Sequence, residues 1–420
     1  MRSVADQKLR NPYKDMNDET LKGPPICEED VHRFLFSSSA HFVGEMVHPA
    51  YHLSVAFPSF QSNHRLASFR PSPTRASFFS LSIRVPVEPP KGNFQIIETY
   101  SWMPEQVAVL LTAFYGKLIR SHGHIQKGYN VMVPDIVVPH NEAFANPPFS
   151  DAPRKPAGSE LNVKNAAELV EAYLFSTPED GVLPKLLSAC TFYHLALENW
   201  STRPILSYTF LVSSVEAILE LLKYADVDIF DEQRLKDFES IRTSTPDGAK
   251  IVSRIKSSLY SVKKKFVKLV ETRLPASFFD ERECDEVFCM KPESLKAALQ
   301  AAYDIRSKYL HTGTTMGFVH LTHFYQNAEI VIGEPVIPDK EIKKLLMRAP
   351  SLAGLERIVA TLLRNELGMW IKDCQNHSSE EEEIQNSGAH DQQHPTAELQ
   401  PRVLMQIEEG SPPEEVRRIL

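Results

Sequence analysis

Cysteine is scarce in this sequence of 420 residues: five in all, at positions 27, 190, 284, 289 and 374. An odd, scattered set in a long chain is no disulfide framework, so a reducing compartment, the cytoplasm, is the expected location. Cys284 and Cys289 have four residues between them, but no second Cys or His pair follows nearby at zinc-ligand spacing. No metal and no other cofactor is therefore expected. Also missing are a Gly-rich phosphate loop of Walker type, a Gly-x-Ser-x-Gly elbow and a Cys-x-x-Cys pair, which leaves ATPase, serine-hydrolase and thiol-redox readings without support. The first residues, MRSVADQKLRNPYKDMNDETLKGPP, contain no apolar core and are not expected to act as a secretory signal. The most apolar long run, Pro204 to Leu222, is interrupted by Glu216 and Glu220. It reads as a buried helix and not as a membrane span, so no membrane partner is expected.

The chain has length enough for two domains with real cores, and 42% apolar residues suit a soluble globular protein. Its net charge of −8 argues against general coating of polyanions but leaves room for a local basic face. Residues 1–40 are polar and read as a loosely ordered segment. Residues 41–150 read as a mixed α/β domain: YHLSVAF, SFFSLSIRVPV and GNFQIIETYSW suit strands, EQVAVLLTAFYGKLI a helix, and YNVMVPDIVVP a further extended run. The segment NPPFSDAPRKPAGSE, Asn146 to Glu160, is rich in Pro, Ser and Gly and reads as the domain linker, set at 151–160. From 161 to 374 the pattern is helical, with helices expected near Val163–Phe175, Leu183–Asn199, Ile205–Tyr224, Glu232–Ile241, Ala249–Arg273, Pro292–Leu310 and Ser351–Lys372. AEIVIGEPVIP interrupts the last two as an extended excursion. Residues 375–420 read as a disordered acidic tail. The expected class is an α+β N-terminal domain followed by an all-α bundle.

The chemistry-bearing stretch is DIRSKYLHTG, Asp304 to Gly313. The helix PESLKAALQAAYDIRSKYL carries Leu295, Leu299, Ala302, Ile305 and Tyr309 as an apolar stripe, with Pro292 suited to its first turn and Gly313 to its end. His311 falls at the carboxyl end, where an imidazole is suited to proton transfer near neutral pH. Arg306, one and a half turns earlier, offers a permanent planar cation for phosphate oxygens. Such a pair matches what metal-free cleavage of a ribose phosphodiester requires. Arg and His are also commonplace caps of helix ends, so the spacing alone decides nothing.

AAYDIRSKYLHTG, preceded about ninety residues earlier by SYTFLVSSVEAILELL, resembles the two signature helices of a HEPN domain, closest to the Apea-like group. In that family a helix with an LEALL-like core, here Val215-Glu216-Ala217-Ile218-Leu219, packs against a later helix ending in Arg, a polar residue, three more residues and His. The resemblance covers roughly residues 185 to 315, and none is found for 41–150. It implies a HEPN-type helical bundle, dimerisation that brings two motifs together, and metal-independent endoribonuclease activity through Arg306 and His311, of the kind found in defence or stress responses. Many members keep the fold and lose the activity, so a non-catalytic module binding RNA or a protein partner is the alternative. Ser307 stands where the family more often has Asn, Asp or His, and Thr312 intervenes before Gly313.

Glu216 reads either as a partly exposed helix residue or as a carboxylate that orients Arg306, because a buried Glu needs a partner. Asp304 is expected to point away from it. Arg254, Lys256, Lys263, Lys264, Lys265 and Lys268, on one expected helix, form a face that could follow an RNA backbone or simply be solvated. Arg65, Arg70, Arg75 and Arg84 interleave with Phe60, Phe69, Phe78 and Phe79, which suits either stacking on single strands or core-facing strand aromatics. The N-terminal domain is left as a possible site for a protein partner. His122 and His124, in SHGHIQKG, read as part of a turn.

Overall fold

The computed structural model describes residues 29–56, 77–86, 100, 102–127, 147–150, 152–154, 160–175, 181–259, 261–313, 327–331 and 333–388. An antiparallel sheet near the N-terminus is followed by a mostly helical part, the layout the sequence pattern predicts. Five strands form the sheet: β1 (Glu29–Ser38), β3 (Glu45–Val47), β4 (Tyr51–Ala56), β5 (Ser77–Pro86) and β6 (Ile119–Lys127), in the order β3-β4-β5-β1-β6. Side chains two apart share a sheet face, and Tyr51, Leu53, Phe79, Leu81, Ile83, Phe34 and Phe36 make one apolar face by that rule. Phe36 lies directly opposite Phe79, their rings 5.4 Å apart.

β1 lies inside the sheet, between β5 and the edge strand β6, and within the segment expected to be polar and loose. Its core-facing residues are Phe34 and Phe36 in VHRFLFSSS, a short apolar run hidden by the polar residues on either side. A second correction concerns SHGH, which is strand and not turn. Gly123 sits where the β1–β6 register slips by one residue, so a residue type that usually marks a turn here marks a bulge. His122 Nε2 lies 2.8 Å from Ser37 Oγ, and the His124 ring stacks on His32 at 5.0 Å.

Helix α1 (Met103–Tyr115) is apolar almost all round because it is covered on both sides. One side meets β6 and β1; the other meets α3 (Val182–Glu198) and α11 (Leu352–Gly388). A single buried cluster therefore runs from Phe34 to Ile371 through both parts of the chain. β2 (Phe42–Val43) adds a parallel pairing with β7 (Leu161–Asn162), which leads through a 3-10 turn into α2 (Ala167–Phe175). α3 and α4 (Pro204–Ala217) form a hairpin against α11. The window Pro204–Leu221 is apolar enough to cross a membrane by length and composition. Tyr208, Leu211, Val212 and Val215 on it are wholly buried in the core, which accounts for that hydropathy.

Two expected helices end early or break. α4 stops at Ala217 instead of reaching Tyr224, a 3-10 turn over Leu219–Leu221 follows, and the Tyr224 hydroxyl donates to the freed Leu219 carbonyl at 2.8 Å. The span Ala249–Arg273 divides into α7 (Gly248–Ser258) and α8 (Val262–Arg273). α7 turns Val252 to a small satellite core with Ile229, Phe230 and Phe238, which lie on α5 (Asp226–Ile229), the residue after it, and α6 (Glu232–Ser244). α8 sends Phe266, Leu269 and Val270 into the main core. Two helices with two destinations cannot remain one straight rod. α9 (Pro292–Thr312) packs on α8, α4 and α10 (Lys340–Leu346). Among the described side chains of α11 the last buried ones are Trp370 and Ile371, near the expected end of the folded part, yet its helical backbone continues past Gln375 to Gly388.

The stretch expected to be a linker docks instead. Phe149 is buried and meets the Trp200 ring edge-on at 5.9 Å. The Lys117 ammonium donates to the carbonyls of Pro147 and, at 3.0 Å, Ser150. Arg154 is buried beside the α1 terminator Gly116 (φ +62°), where an added Cβ would stand 2.6 Å from Arg154 Cδ. The guanidinium forks onto Glu283 at 3.0 and 2.8 Å and also binds Glu356, which accepts from the Tyr193 hydroxyl. Burial works against the Glu283 carboxylate, but Arg154 outweighs it and holds that group below the usual carboxylate range. Arg154→Ala leaves two buried carboxylates without their cation, and should cost about 3–5 kcal/mol in urea unfolding. A loss below about 1 kcal/mol would show that the cluster does not anchor the segment.

Candidate functional site

Local chemistry places Arg306 and His311 on α9 much as the sequence reading has it. Pro292 occupies the first turn, Glu293 lies near the positive end, and Gly313 (φ +64°) closes the helix with its N–H on the Tyr309 carbonyl at 2.9 Å. Leu295, Ala298, Leu299, Ala302 and Ile305 are buried, so Arg306 stands at the edge of the buried stripe. Facing it is the last turn of α4, which presents Glu216. The Arg306 Nη2 donates to Glu216 Oε2 at 2.7 Å, with the side chains 22% and 17% exposed. This pairing is one of the two readings the sequence leaves open for Glu216, and the structure brings the two side chains together.

Around this ion pair lies a cleft of about 600 Å³, with Lys185, Glu220, Val262 and Tyr303 in its walls. The Arg306 guanidinium sits 6.0 Å from the centre of the Tyr303 ring, and the Tyr303 hydroxyl also reaches Glu216. Burial pushes the Glu216 carboxyl above its ordinary range, against the pull of Arg306 and of the Tyr303 hydroxyl. Burial, with Glu216 beside it, raises the Tyr303 phenol. Arg306 Nε is buried and has no hydrogen-bond partner among the described residues. A buried N–H in that state is rare enough to require an explanation. Tyr303 and Lys185 did not figure in the sequence reading. Tyr303 was findable, because three residues before Arg306 is the same helix face. Lys185, from α3, was not.

His311 is exposed in the last turn of α9 and does not line the cleft. At 100° per residue, five positions carry it about 140° around the helix from Arg306 and about 7.5 Å along it. Within one chain the two groups share an end of a helix but not a face. Ser307 is half-buried next to Arg306. Asp304 turns to Lys263, with both oxygens at 2.7 Å from the ammonium.

The basic face fares differently from the sequence expectation, because its residues divide between α7 and α8. Lys256 pairs with Asp226, Lys263 with Asp304, and Lys268 with Asp228. Lys264 donates to the Ile229 carbonyl at 2.7 Å, and Lys265 lies over the Tyr224 ring at 5.3 Å. Arg254 is exposed on α7. Three carboxylates among these cations weaken any continuous positive field. Of the interleaved arginines and phenylalanines, Phe78 and Phe79 are buried in the sheet and Arg84 is exposed. Arg65, Arg70, Arg75, Phe60 and Phe69 lie outside the described residues, as do YNVMVPDIVVP and most of GNFQIIETYSW.

The balance at Glu216 generates a test. A carboxyl whose folded pKa is raised contributes stability below its unfolded pKa and loses it as pH rises through the folded value. Glu216→Gln removes that loss. The variant should therefore gain stability relative to the wild type between pH 4 and pH 7, measured by urea unfolding at both. The opposite trend would mean that attraction to Arg306 exceeds the cost of burial.

Comparison of the chain with protein families, with curated proteins and with solved structures finds no match.

Proposed function

We propose that this protein is a metal-independent endoribonuclease of HEPN type, working through Arg306 and His311. The observation that carries the reading is the Arg306 guanidinium, held by Glu216 in the wall of a cleft and still partly exposed. A phosphate oxygen is the natural acceptor for it. In the proposed reaction the ribose 2′-hydroxyl attacks the adjacent phosphorus and its proton passes to a base. The bond from phosphorus to the 5′-oxygen breaks, and that oxygen takes a proton from an acid. The products are a 2′,3′-cyclic phosphate and a 5′-hydroxyl. Arg306 neutralises charge on the phosphoryl oxygens, and His311 moves the protons. Ser307 and Glu216 are supporting residues, Glu216 by orienting the guanidinium.

The angular offset on α9 gives a specific role to a homodimer. One chain directs Arg306 into its cleft and His311 elsewhere, so a two-fold partner would supply the missing group to each site. A cellular role in defence or stress response belongs to the same proposal and rests on the family resemblance alone. The proposed cytoplasmic location rests on the scattered cysteines, and the proposed absence of a membrane partner on Glu216 and Glu220 within the apolar run.

A second reading is a HEPN module without activity that binds RNA or a protein partner, the latter through the N-terminal sheet. The ion pair with Glu216 favours it, since a cation already neutralised gives less to a transition state.

Cleavage of a mixed RNA pool in EDTA, with the fold checked by circular dichroism in the same buffer, separates the two readings. Arg306→Ala and His311→Ala should each lower the rate at least ~100-fold, the scale of losing charge stabilisation or acid–base help. Mixing the two inactive variants should restore part of the activity, because a heterodimer then holds one complete Arg306–His311 site across its interface. Full activity in either variant would exclude the mechanism. Absence of recovery on mixing, with subunit exchange shown by light scattering and native mass measurement, would exclude the shared site.

A further inference from the structure

At the amino end of α9 a second cluster has no part in the ribonuclease reading. Cys284 and Cys289 bracket a short 3-10 turn, and their sulfurs lie 2.8 Å apart. The carboxylate of Glu329, forty residues further on, joins them, and the three ligand atoms all fall within 4.8 Å of one another. Sequence spacing had found only the two thiols.

Glu329 is held there by its neighbours on every side. Its backbone N–H donates to the Phe288 carbonyl at 2.9 Å, while its side chain accepts from the Met290 N–H at 2.8 Å. Those two bonds flank Cys289 and bring the carboxylate beside its sulfur. Arg357 on α11 binds the other carboxylate oxygen. Gly354 lets α11 approach closely, since a Cβ there would stand 2.2 Å from the Glu329 carbonyl oxygen. Glu329 is almost wholly buried, Cys289 is buried and Cys284 half-buried. A carboxylate has about four lone-pair positions, so two hydrogen bonds leave it capacity for a further partner.

We infer that Cys284, Cys289 and Glu329 form a site for a thiophilic divalent cation of the zinc class, clasping the 284–290 loop to the chain at 329 and fixing the start of α9. Two thiolates and a carboxylate suit such an ion, and three protein ligands leave a fourth position for water. On binding, each thiol releases its proton to solvent as the sulfur–metal bond forms, and nothing is oxidised or reduced. Charge then closes: three negative groups are met by two positive charges from the ion and one from Arg357. Met290 N–H and Arg357 act as the outer partners that orient a ligating carboxylate. Zinc–sulfur bonds of about 2.3 Å at a tetrahedral angle require sulfurs about 3.8 Å apart. The pair must open by about 1 Å, which the half-exposed Cys284 permits, and opening also relieves a separation shorter than ordinary sulfur contact. In a reducing compartment a paired-thiol cluster of this kind is a metal site more often than a disulfide.

The inference stands apart from the ribonuclease proposal. From Pro292 to Arg306 is about 20 Å along α9 at 1.5 Å per residue, so the ion would stiffen the helix without entering the chemistry. Cobalt(II) titrated into the reduced, metal-stripped full chain should produce thiolate-to-cobalt absorbance in the near ultraviolet that saturates at one ion per chain. Cys284→Ser and Cys289→Ser should abolish that band, and Glu329→Gln should weaken binding at least ~10-fold. Alkylation of the wild-type chain, read by mass spectrometry, keeps the test independent of whether the variants fold. Zinc should protect Cys284 and Cys289 and leave the other cysteines unchanged. No band together with no protection would overturn the site. So would a Cys284–Cys289 disulfide in the chain isolated under reducing conditions, which would make the pair a redox couple instead.

Discussion

The buried guanidinium of Arg154 joins parts of the chain that sequence distance keeps far apart. It stands against the end of α1, forks onto Glu283 before the α9 loop, and meets Glu356 on α11, which Tyr193 of α3 also binds. A charge taken out of water at that depth is tolerable only if every partner is present, so the cluster forms as a unit or not at all. Its members come from the segment at 152–154, from α3, from α11 and from the loop before α9. They tie that loop to α11 and bring both against the end of α1. The neighbouring Arg357 extends the same logic: it binds Glu329 and the carbonyls of Phe278 and Glu281, and lies 3.9 Å from the centre of the Phe278 ring.

α9 therefore enters the bundle from a loop anchored by two buried arginines and leaves it at an exposed glycine-capped end. That asymmetry suits the proposed chemistry. Arg306 lies where packing still controls side-chain direction, with Glu216 across from it; His311 lies beyond the last buried residue, Ile305, where it is open to a second molecule. The cation is positioned by the fold, and the proposed proton-transfer group is presented at its surface. The cost of this design is the ion pair itself, since Glu216 shares the charge that a phosphate would use. A carboxyl raised by burial is easier to neutralise than an ordinary one, which softens that competition.

Periodicity made the helices legible. The stripe on α9, its Pro start and its Gly stop followed from spacing, and the need of a buried carboxylate for a partner made the pairing of Glu216 with Arg306 one of two readings. What the pattern could not carry was long-range. β1 was hidden because a strand needs only a few apolar residues, and Phe34 and Phe36 stand among polar neighbours. The 151–160 stretch read as a linker from its prolines and serine, yet a single arginine in it found two carboxylates more than a hundred residues away. The break between α7 and α8 depends on two separate cores, which no local signal reports. In the candidate site, Tyr303 was within reach of helix arithmetic. Lys185, and Glu329 beside the two thiols, come from elements whose approach only the fold decides.

The proposal that Arg306 and His311 cleave RNA is tested most directly by the chemistry of the new ends. End analysis of a defined RNA incubated with the wild-type protein without added metal should show 2′,3′-cyclic phosphate on one fragment and a 5′-hydroxyl on the other. Fragments ending in 3′-hydroxyl and 5′-phosphate, or an RNA left intact by the folded protein, would contradict it.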